Sequence, residues 1–143
     1  MRMKPARSTC PIASTLEVIG DRWSLVVLRD ILLRGKRRYR ELLDGPEAIA
    51  TNILADRLAR LEEWDILQKS RDPEDRRQFV YTPTRRGLDL LPILFQLVRW
   101  GLKHVEGTEV PVPRARLKDE RALERAIRAR FAASPFAAGS RSD

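Results

Sequence analysis

The stretch that decides the fold begins at Arg37 and ends at Tyr81. It contains three segments, RRYRELL (37–43), ATNILADRLARLEEWDIL (50–67) and QKSRDPEDRRQFVY (68–81). The first is typical of a short helix followed by a turn, and the second predicts a longer amphipathic helix. The third predicts two strands joined by a charged loop. A helix-turn-helix followed by a basic hairpin is a module for holding duplex DNA.

Composition favours the same kind of partner. The chain has 143 residues, 43% of them hydrophobic and 34% charged, which is enough for one domain with a modest core. The net charge is +8 and the sequence pI is about 10.5. Such an excess favours a polyanion, nucleic acid first and an acidic membrane second. A basic protein without such a partner would have the same composition.

Several absences narrow the class of protein. The one cysteine, Cys10, excludes an internal disulfide, and the sequence shows neither a secretory segment nor an apolar run long enough for a bilayer. A cytoplasmic location is therefore expected. The one histidine, His104, has no second histidine or cysteine nearby and makes a poor metal site. With no glycine-rich phosphate loop either, we expect no enzyme, no metal and no cofactor.

Helices are also predicted before the helix-turn-helix. Pro11 is suited to the first position of a helix, and Gly20 ends that helix. Asp21 can cap a second helix that runs to about Leu33. Its apolar residues cover most of its circumference, which indicates a position at the centre of the core. Residues 36–38 are a candidate short strand.

The segment after the hairpin predicts a long helix and an additional tail. Thr84 caps the long helix, which reaches about His104 and is kinked or locally broken at Pro92. We therefore expect a basic arm at 1–9, a DNA-binding domain with the helix-turn-helix and the hairpin at 10–106, a linker at 107–116, a C-terminal helix at 117–131 and a disordered tail at 132–143.

The helix predicted from Ala50 to Trp64 has the features of a recognition helix. Such a helix must fit the major groove, pack one face on its domain and present donors and small groups on the other. The inward face is the stripe of Leu54, Leu58 and Leu61. The outward groups crowd the first two turns, where base edges are usually met, and we expect DNA contacts from Thr51, Asn52, Ile53 and Arg57.

Three of these side chains have a definable use, and two of the three have an alternative. Asn52 can pair bidentately with adenine. Thr51 can bond a phosphate or touch a thymine methyl group, or it can serve only as a helix cap. Arg57 can bind guanine or phosphate, or it can form a salt bridge within the domain with a residue such as Glu41 or Glu62.

The predicted hairpin tip mixes both signs of charge. It contains Arg71, Arg76 and Arg77 together with Asp72, Glu74 and Asp75. The pattern favours one arginine that projects toward the minor groove while Asp75 orients it or ends the turn. The alternative is a solvated tip whose charges cancel. We expect Arg76 and Arg77 to contact DNA.

A second group of cations lies at the entry to the motif. Lys36, Arg37, Arg38 and Arg40 occupy four of five positions around Tyr39. Some of them can belong to a solvated charge run, but a cluster of this density favours phosphate contacts. We expect such contacts from Lys36, Arg38 and Arg40.

With these elements in place, the chain resembles the HxlR family of winged-helix transcriptional regulators, which are relatives of the MarR group. The matching segments are CPIASTLEVIGDRW (10–23), RRYREL (37–42), NILADRLARLEE (52–63), DPEDRRQFVYTPTRRGLDLLPIL (72–94) and WG (100–101). They cover Cys10 to about Lys103 in the family's order and spacing.

The resemblance implies a mainly α fold with a small β-hairpin wing, that is, a winged helix-turn-helix that dimerises through its N-terminal helix and the helix after the wing. It implies a recognition helix at 50–64 and a wing at 67–81. It further implies a homodimer on an inverted-repeat operator in double-stranded DNA, which alters transcription by competing with RNA polymerase or positioning it.

The resemblance also implies a role for Cys10. Many members of the family look like sensors of oxidants or electrophiles through an N-terminal cysteine, so Cys10 is the expected redox-sensing residue and an oxidant or small molecule the expected effector. A helix N-terminus and the nearby Arg7 and Lys4 favour a thiolate. Most free cysteines, however, are buried and inert.

The chain departs from the family pattern at three places. Ala50 lies where the family often has a serine cap, so the cap is expected to shift to Thr51. Trp64 and Asp65 lie where a small residue and glycine are usual, so Asp65 has to enter the left-handed conformation at some cost. The tail after Gly107 is longer than is usual in the family.

Two alternatives to an operator-binding protein remain open. Winged helices can also bind RNA, and the same fold can serve as a module for protein–protein interaction. A steep salt dependence of binding to duplex DNA would separate the operator-binding protein from these alternatives.

Overall fold

The fold is a mainly α domain with one two-stranded hairpin. A computed structural model describes residues 7–133; the rest of the predicted basic arm, 1–6, and residues 134–143 of the predicted tail lie outside the described residues. The elements are α1 Pro11–Ile19, α2 Arg22–Leu32, α3 Tyr39–Leu43, α4 Thr51–Glu63, β1 Leu67–Arg71, β2 Phe79–Pro83, α5 Arg85–Leu88, α6 Leu91–His104, α7 Arg114–Leu117 and α8 Glu120–Ala132. The predicted winged helix-turn-helix fold is confirmed.

The core is built around α2 and the leucine stripe of α4. Leu28, Ile31 and Leu32 of α2 are completely buried. The predicted stripe is buried as well, with Leu54, Leu58 and Leu61 no more than 1% exposed. Full burial of one such side chain contributes about 1.5–3 kcal/mol. This packing holds the inner face of α4 on the domain and leaves its outer face to solvent.

Side chains cap the starts of α2 and α5, but not the start of α4. Oδ2 of Asp21 accepts hydrogen bonds from the backbone N–H groups of Trp23 and Ser24, at 3.0 Å each. Thr84 caps α5 through Oγ1, which accepts from the N–H of Gly87 at 3.1 Å. By contrast, Ala50 occupies the cap position of α4 without a side-chain hydrogen bond. The expected shift of the cap to Thr51 is therefore wrong.

The wing is a hairpin with one additional bridge. β1 and β2 pair antiparallel, from Leu67 opposite Pro83 to Arg71 opposite Phe79. The predicted strand at 36–38 is reduced to an isolated bridge between Arg38 and Val80. The reason is local, since Arg38 is also the cap residue of α3 and the chain turns into that helix immediately.

The segment predicted as one long helix from Thr84 to His104 forms two helices, α5 and α6. Of the two expectations for Pro92, a kink or a local break, the structure shows the break. Pro92 is the second residue of α6. Proline has no backbone N–H, and its ring clashes with the carbonyl group four residues earlier. It therefore fits the first turn of a new helix better than the middle of a continuous one.

Backbone strain is confined to two non-glycine residues of the described part of the chain. Asp65 has φ +56°, the left-handed conformation that the sequence required of it. Ala48, in the turn between α3 and α4, has φ +54°. Trp64, just before Asp65, is half-buried, and its carbonyl oxygen accepts a hydrogen bond from Nη1 of Arg86 at 3.0 Å.

The C-terminal segment folds back onto the core. The predicted linker at 107–116 contains the start of α7, and its Val112 is only 9% exposed. The single helix predicted at 117–131 is divided between α7 and α8, and α8 packs through the buried Leu123 and Ile127. Nη2 of Arg130 donates to the carbonyl oxygen of Leu32 at 2.7 Å. In the described part of the chain, no helix has the length and apolar character that crossing a bilayer requires.

Candidate nucleic-acid interface

The first turn of α4 presents its polar side chains outward. Thr51 and Asn52 are exposed, Ile53 is half-buried, and Leu54 points into the core. The hydroxyl group of Tyr39 in α3 donates to the carbonyl oxygen of Thr51 at 2.9 Å, which fixes the start of α4 against α3. The structure thus brings the three predicted base-contacting residues to one rigid and accessible helix end. Their contact with DNA stays a prediction.

Arg57 is engaged within the domain. Its Nε lies 2.7 Å from Oδ2 of Asp21, and its Nη1 pairs with Asp56. A salt bridge was one of the two expectations for Arg57, but its partner is neither Glu41 nor Glu62. Burial alone would raise the pKa of Asp21, yet the hydrogen bonds from Ser24 and Arg57 hold it below its usual value.

Lys36 and Arg38 are also held by groups of the chain itself. Nζ of Lys36 donates to the carbonyl oxygen of Asp44 at 2.8 Å. Nε of Arg38 donates to Oδ2 of Asp72 at 2.6 Å, and its Nη2 lies 3.1 Å from Oε2 of Glu74. The carboxyl group of Asp72 is completely buried. These cations position the wing and the turn before α4, and their phosphate contacts stay predictions.

The remaining predicted cations face solvent. Arg40 and Arg76 are exposed, and no ion pair joins either of them to another of residues 7–133. Arg77 is 91% exposed and lies 3.1 Å from the carboxylate of Asp75. That hydrogen bond and one from Gln78 lower the pKa of Asp75. Asp75 therefore both orients Arg77 and closes the turn.

An open groove separates α3 from the wing. Its volume is about 600 Å³, and its lining consists of Tyr39, Arg40, Asp75, Arg77, Gln78, Phe79 and Tyr81. Two cations and three aromatic rings thus border one groove, beside the start of α4. Such a combination is suited to a sugar–phosphate backbone, because cations contact phosphates and rings contact sugars and bases.

Sequence reasoning missed a cluster on the face of the wing. Nζ of Lys69 lies 4.3 Å, and Cζ of Arg71 lies 4.2 Å, from the centre of the Phe79 ring. Arg71 had been assigned only to the tip, and the other two residues were not considered. The alternation of Lys69 and Arg71 on one strand, with an aromatic residue opposite, was the available signal, but the register of the hairpin was needed to interpret it.

Cys10 is exposed at the cap position of α1. Its backbone N–H donates to Oγ of Ser8 at 3.1 Å. The thiol is therefore not buried, as the alternative to a sensing role required. No group of three or more candidate metal ligands occurs among residues 7–133.

Two helices expose large apolar side chains. On α1, Ile12 is 72% and Leu16 is 57% exposed, and on α6 Trp100 is 62% exposed. Ile93 and Leu97 of α6 are exposed as well. Apolar surface of this extent on a small domain is typical of an interface with another protein surface.

Comparison with known sequences identifies the family. The model of the HxlR-like helix-turn-helix family matches residues 18–109. The HTH-type transcriptional regulator sll1512 of Synechocystis sp. is 33% identical over 97 residues, which are 68% of this chain and 71% of that protein. The HTH-type transcriptional regulator YodB of Bacillus subtilis is 28% identical over 93 residues, which are 64% of this chain and 82% of YodB. The chain belongs to the HxlR-like helix-turn-helix family and is a transcriptional regulator of the helix-turn-helix type.

Solved structures agree with this assignment. The reduced form of YodB from B. subtilis matches with a TM-score of 0.56 and 25% identity, over 71% of this chain and all of YodB. The oxidised form of the redox regulator HypR matches with a TM-score of 0.58 and 27% identity, over 71% of this chain and all of HypR. The family match ends at residue 109, so α7 and α8 lie beyond it.

Proposed function

We propose that this regulator binds a specific DNA operator through α4 and the groove beside it. The observation that carries the proposal is the position of Thr51 and Asn52, exposed on the first turn of a helix whose leucine stripe is buried. Asn52 has the donor and acceptor pair that reads adenine. Arg40 and Arg77 border the neighbouring groove and are suited to phosphates.

We also propose that the active form is a homodimer on an inverted repeat. The exposed apolar side chains of α1 and α6 support this assembly, because a second copy would remove them from water. A two-fold dimer places two copies of α4 in successive major grooves, so its operator has two half-sites of opposite orientation.

Cys10 is the proposed site of redox control. It is exposed and precedes the apolar residues Ile12 and Leu16 on the same helix. YodB has been crystallised in a reduced form and after diamide treatment, and HypR is a redox regulator. Oxidation joins Cys10 to a second thiol, of another copy or of a small molecule. The two thiols lose two electrons and two protons, which an oxidant such as diamide takes up.

The experiment that tests the DNA proposal begins with selection of duplexes from a random-sequence pool by the wild-type chain. Binding constants are then measured for the selected duplex and for versions with single base changes. Asn52→Ala should relax discrimination at one position of each half-site by about 1–3 kcal/mol. Arg76→Ala should weaken all duplexes to a similar degree. The proposal would be contradicted if the selection enriched no particular sequence. It would also be contradicted if Asn52→Ala and Arg76→Ala weakened every duplex equally.

A further inference from the structure

The cations of the wing form two groups with different surroundings. At the tip, arginines lie within ion-pair distance of all three carboxylates, and the pairs are Arg38 with Asp72, Arg37 with Glu74 and Arg77 with Asp75. Arg37 and Arg38 belong to the segment before α3, so the tip's own cations are Arg77, which is paired with Asp75, and Arg76, which forms no ion pair with another of residues 7–133.

The second group lies on the face of the strands. Lys69 and Arg71 alternate along β1, so both side chains project from the same face of the hairpin. Phe79 lies directly opposite Arg71 in the register, and its ring is within 4.3 Å of both cationic groups. Among residues 7–133, no carboxylate forms an ion pair with Lys69 or Arg71. No ion pair with a described residue therefore neutralises either cation, and the one printed hydrogen bond of the Arg71 side chain is from Nη1 to the carbonyl oxygen of Arg76, at 3.1 Å.

Phe79 is unusual for its place in the hairpin. Its neighbour Val80 is completely buried, whereas Phe79 is 37% exposed and lines the groove that also contains Arg40. A ring beneath two long cationic side chains restricts where their charged ends can lie. Side chains restricted before binding lose less conformational entropy when they contact a ligand.

We infer that the wing contacts the DNA backbone through this face as well as through its tip. Lys69 and Arg71 bind phosphates, and Phe79 is a positioning residue that holds both of them. The inference rests on the proposed DNA binding and makes it more specific, because it adds phosphate contacts on β1 to those proposed for the tip.

The first test removes each charge. Fluorescence anisotropy at several salt concentrations, with the duplex selected by the wild-type chain, gives the slope of log K against log [salt]. Lys69→Gln and Arg71→Gln should each reduce the magnitude of this slope by about 0.9 and weaken binding about tenfold at moderate salt. Lys118→Gln is the matched control, since it removes one charge from an exposed residue that follows α7, and it should leave the slope unchanged.

The second test changes the ring and keeps the charges. Phe79→Leu should weaken binding several-fold, about three- to tenfold, and reduce the slope, because the two cations lose their support. Phe79→Tyr retains an aromatic face and should bind like the wild type. Melting curves of all variants show whether the fold is kept. The two glutamine variants change exposed side chains only, so the inference stays testable even where Phe79→Leu does not fold.

The outcomes separate this inference from the proposal on which it rests. If the wild-type chain binds DNA with a steep salt dependence and neither glutamine variant alters the slope, the inference is overturned and the proposed function stands. If Phe79→Leu binds like the wild type, the positioning role is overturned. A wild-type chain without affinity for any duplex would overturn both.

Discussion

Nε of Arg38 lies 2.6 Å from Oδ2 of Asp72, and this contact joins the cap residue of α3 to the residue that follows β1. The carboxyl group of Asp72 has no exposed surface, and its Oδ1 accepts a hydrogen bond from the backbone N–H of Glu74 at 2.9 Å. These hydrogen bonds hold the pKa of Asp72 below its usual value. One ionised side chain thus contributes to the position of the wing relative to the helix-turn-helix, beside the bridge between Arg38 and Val80.

Replacing Asp72 with asparagine should loosen the wing. The amide retains an acceptor for the N–H of Glu74 but loses the charge that Arg38 requires. We expect a lower melting temperature, faster hydrogen exchange of the amides of β1 and β2, and weaker binding of DNA. Asp44→Asn is the control, because Asp44 is exposed and its side chain makes no ion pair with another described residue. Equal exchange rates in the two variants would contradict the expected role of Asp72.

The proposed dimer should depend on the apolar face of α1. Leu16→Lys places a charge in that face and should convert a particle of twice the 16.5 kDa chain mass into a monomer in sedimentation. Glu17→Lys introduces the same side chain at the adjacent exposed position and should leave the dimer intact. A wild-type chain that sediments as a monomer at micromolar concentration would refute the proposed assembly.

Oxidation should act through Cys10. Diamide is expected to weaken binding of the selected duplex by the wild-type chain, while Cys10→Ser keeps its affinity. Serine preserves the size and polarity of the cap residue and cannot form a disulfide. Anisotropy before and after diamide, followed by a reducing agent, measures the effect and its reversal. The same loss in both proteins, or no loss in either, would exclude Cys10 as the sensor.

Lowering the pH should reduce the free energy of unfolding, because Glu47 becomes protonated and loses its ion pair with Arg29. Its Oε2 accepts from Nη2 of Arg29 at 3.1 Å, and the hydrogen bonds from Arg29 lower the pKa of Glu47 from 4.5 to about 2. Because the folded pKa is the lower one, this stabilisation is complete above pH 4.5 and is lost as the pH falls toward 2. Glu47 is partly exposed, so the contribution is on the order of 1 kcal/mol.

The measurement is urea unfolding at several pH values. The free energy of unfolding of Glu47→Gln is subtracted from that of the wild type at each pH. This difference should decrease between pH 5 and pH 2, and the total decrease should be on the order of 1 kcal/mol. Glu63→Gln, at an exposed position of α4, is the matched control and should show no such trend. A constant difference for Glu47→Gln would show that its ion pair does not titrate.

Relief of strain at Ala48 should stabilise the fold. A left-handed conformation costs an L-residue about 1–2 kcal/mol, and glycine avoids this cost. Glycine also loses more conformational entropy on folding than alanine, which removes about 0.5–1 kcal/mol of the gain. With φ +54° at an exposed position, Ala48→Gly should raise the unfolding free energy by about 0.5–1 kcal/mol. The matched substitution Ala126→Gly in the middle of α8 should lower it by a similar amount. A loss of stability in both variants would show that the backbone at Ala48 is not strained.

The parts of the fold that depend on local pattern could be predicted from the sequence. The period of Leu54, Leu58 and Leu61 gave the buried face of α4, and the extent of α3 and β1 followed from their flanking turn residues. The partners of the cations could not be predicted in this way. Asp21 meets Arg57 across 36 positions of sequence, and Asp72 meets Arg38 across 34. Such contacts exist only after α2, α4 and the wing have packed.

For the same reason, the candidate interface differs from the one that charge alone suggests. Four cations near Tyr39 and three at the wing tip favoured phosphate contacts, yet several of them neutralise carboxylates of the chain. The cluster of Lys69 and Arg71 with Phe79 could not be predicted from the sequence, because the distances between these side chains depend on the register of the hairpin.

Helix α8 packs on the core, so removing it should affect the stability of the domain. Nη2 of Arg128 donates to Oδ1 of Asp89 at 2.9 Å and lies 3.4 Å from the carbonyl oxygen of Leu88, at the break between α5 and α6. Leu123 and Ile127 cover part of the core. A chain cut after residue 109 would keep the whole region matched by the family model, yet it would expose apolar surface and become prone to aggregation. The boundary of family similarity is therefore not the boundary of the folding unit.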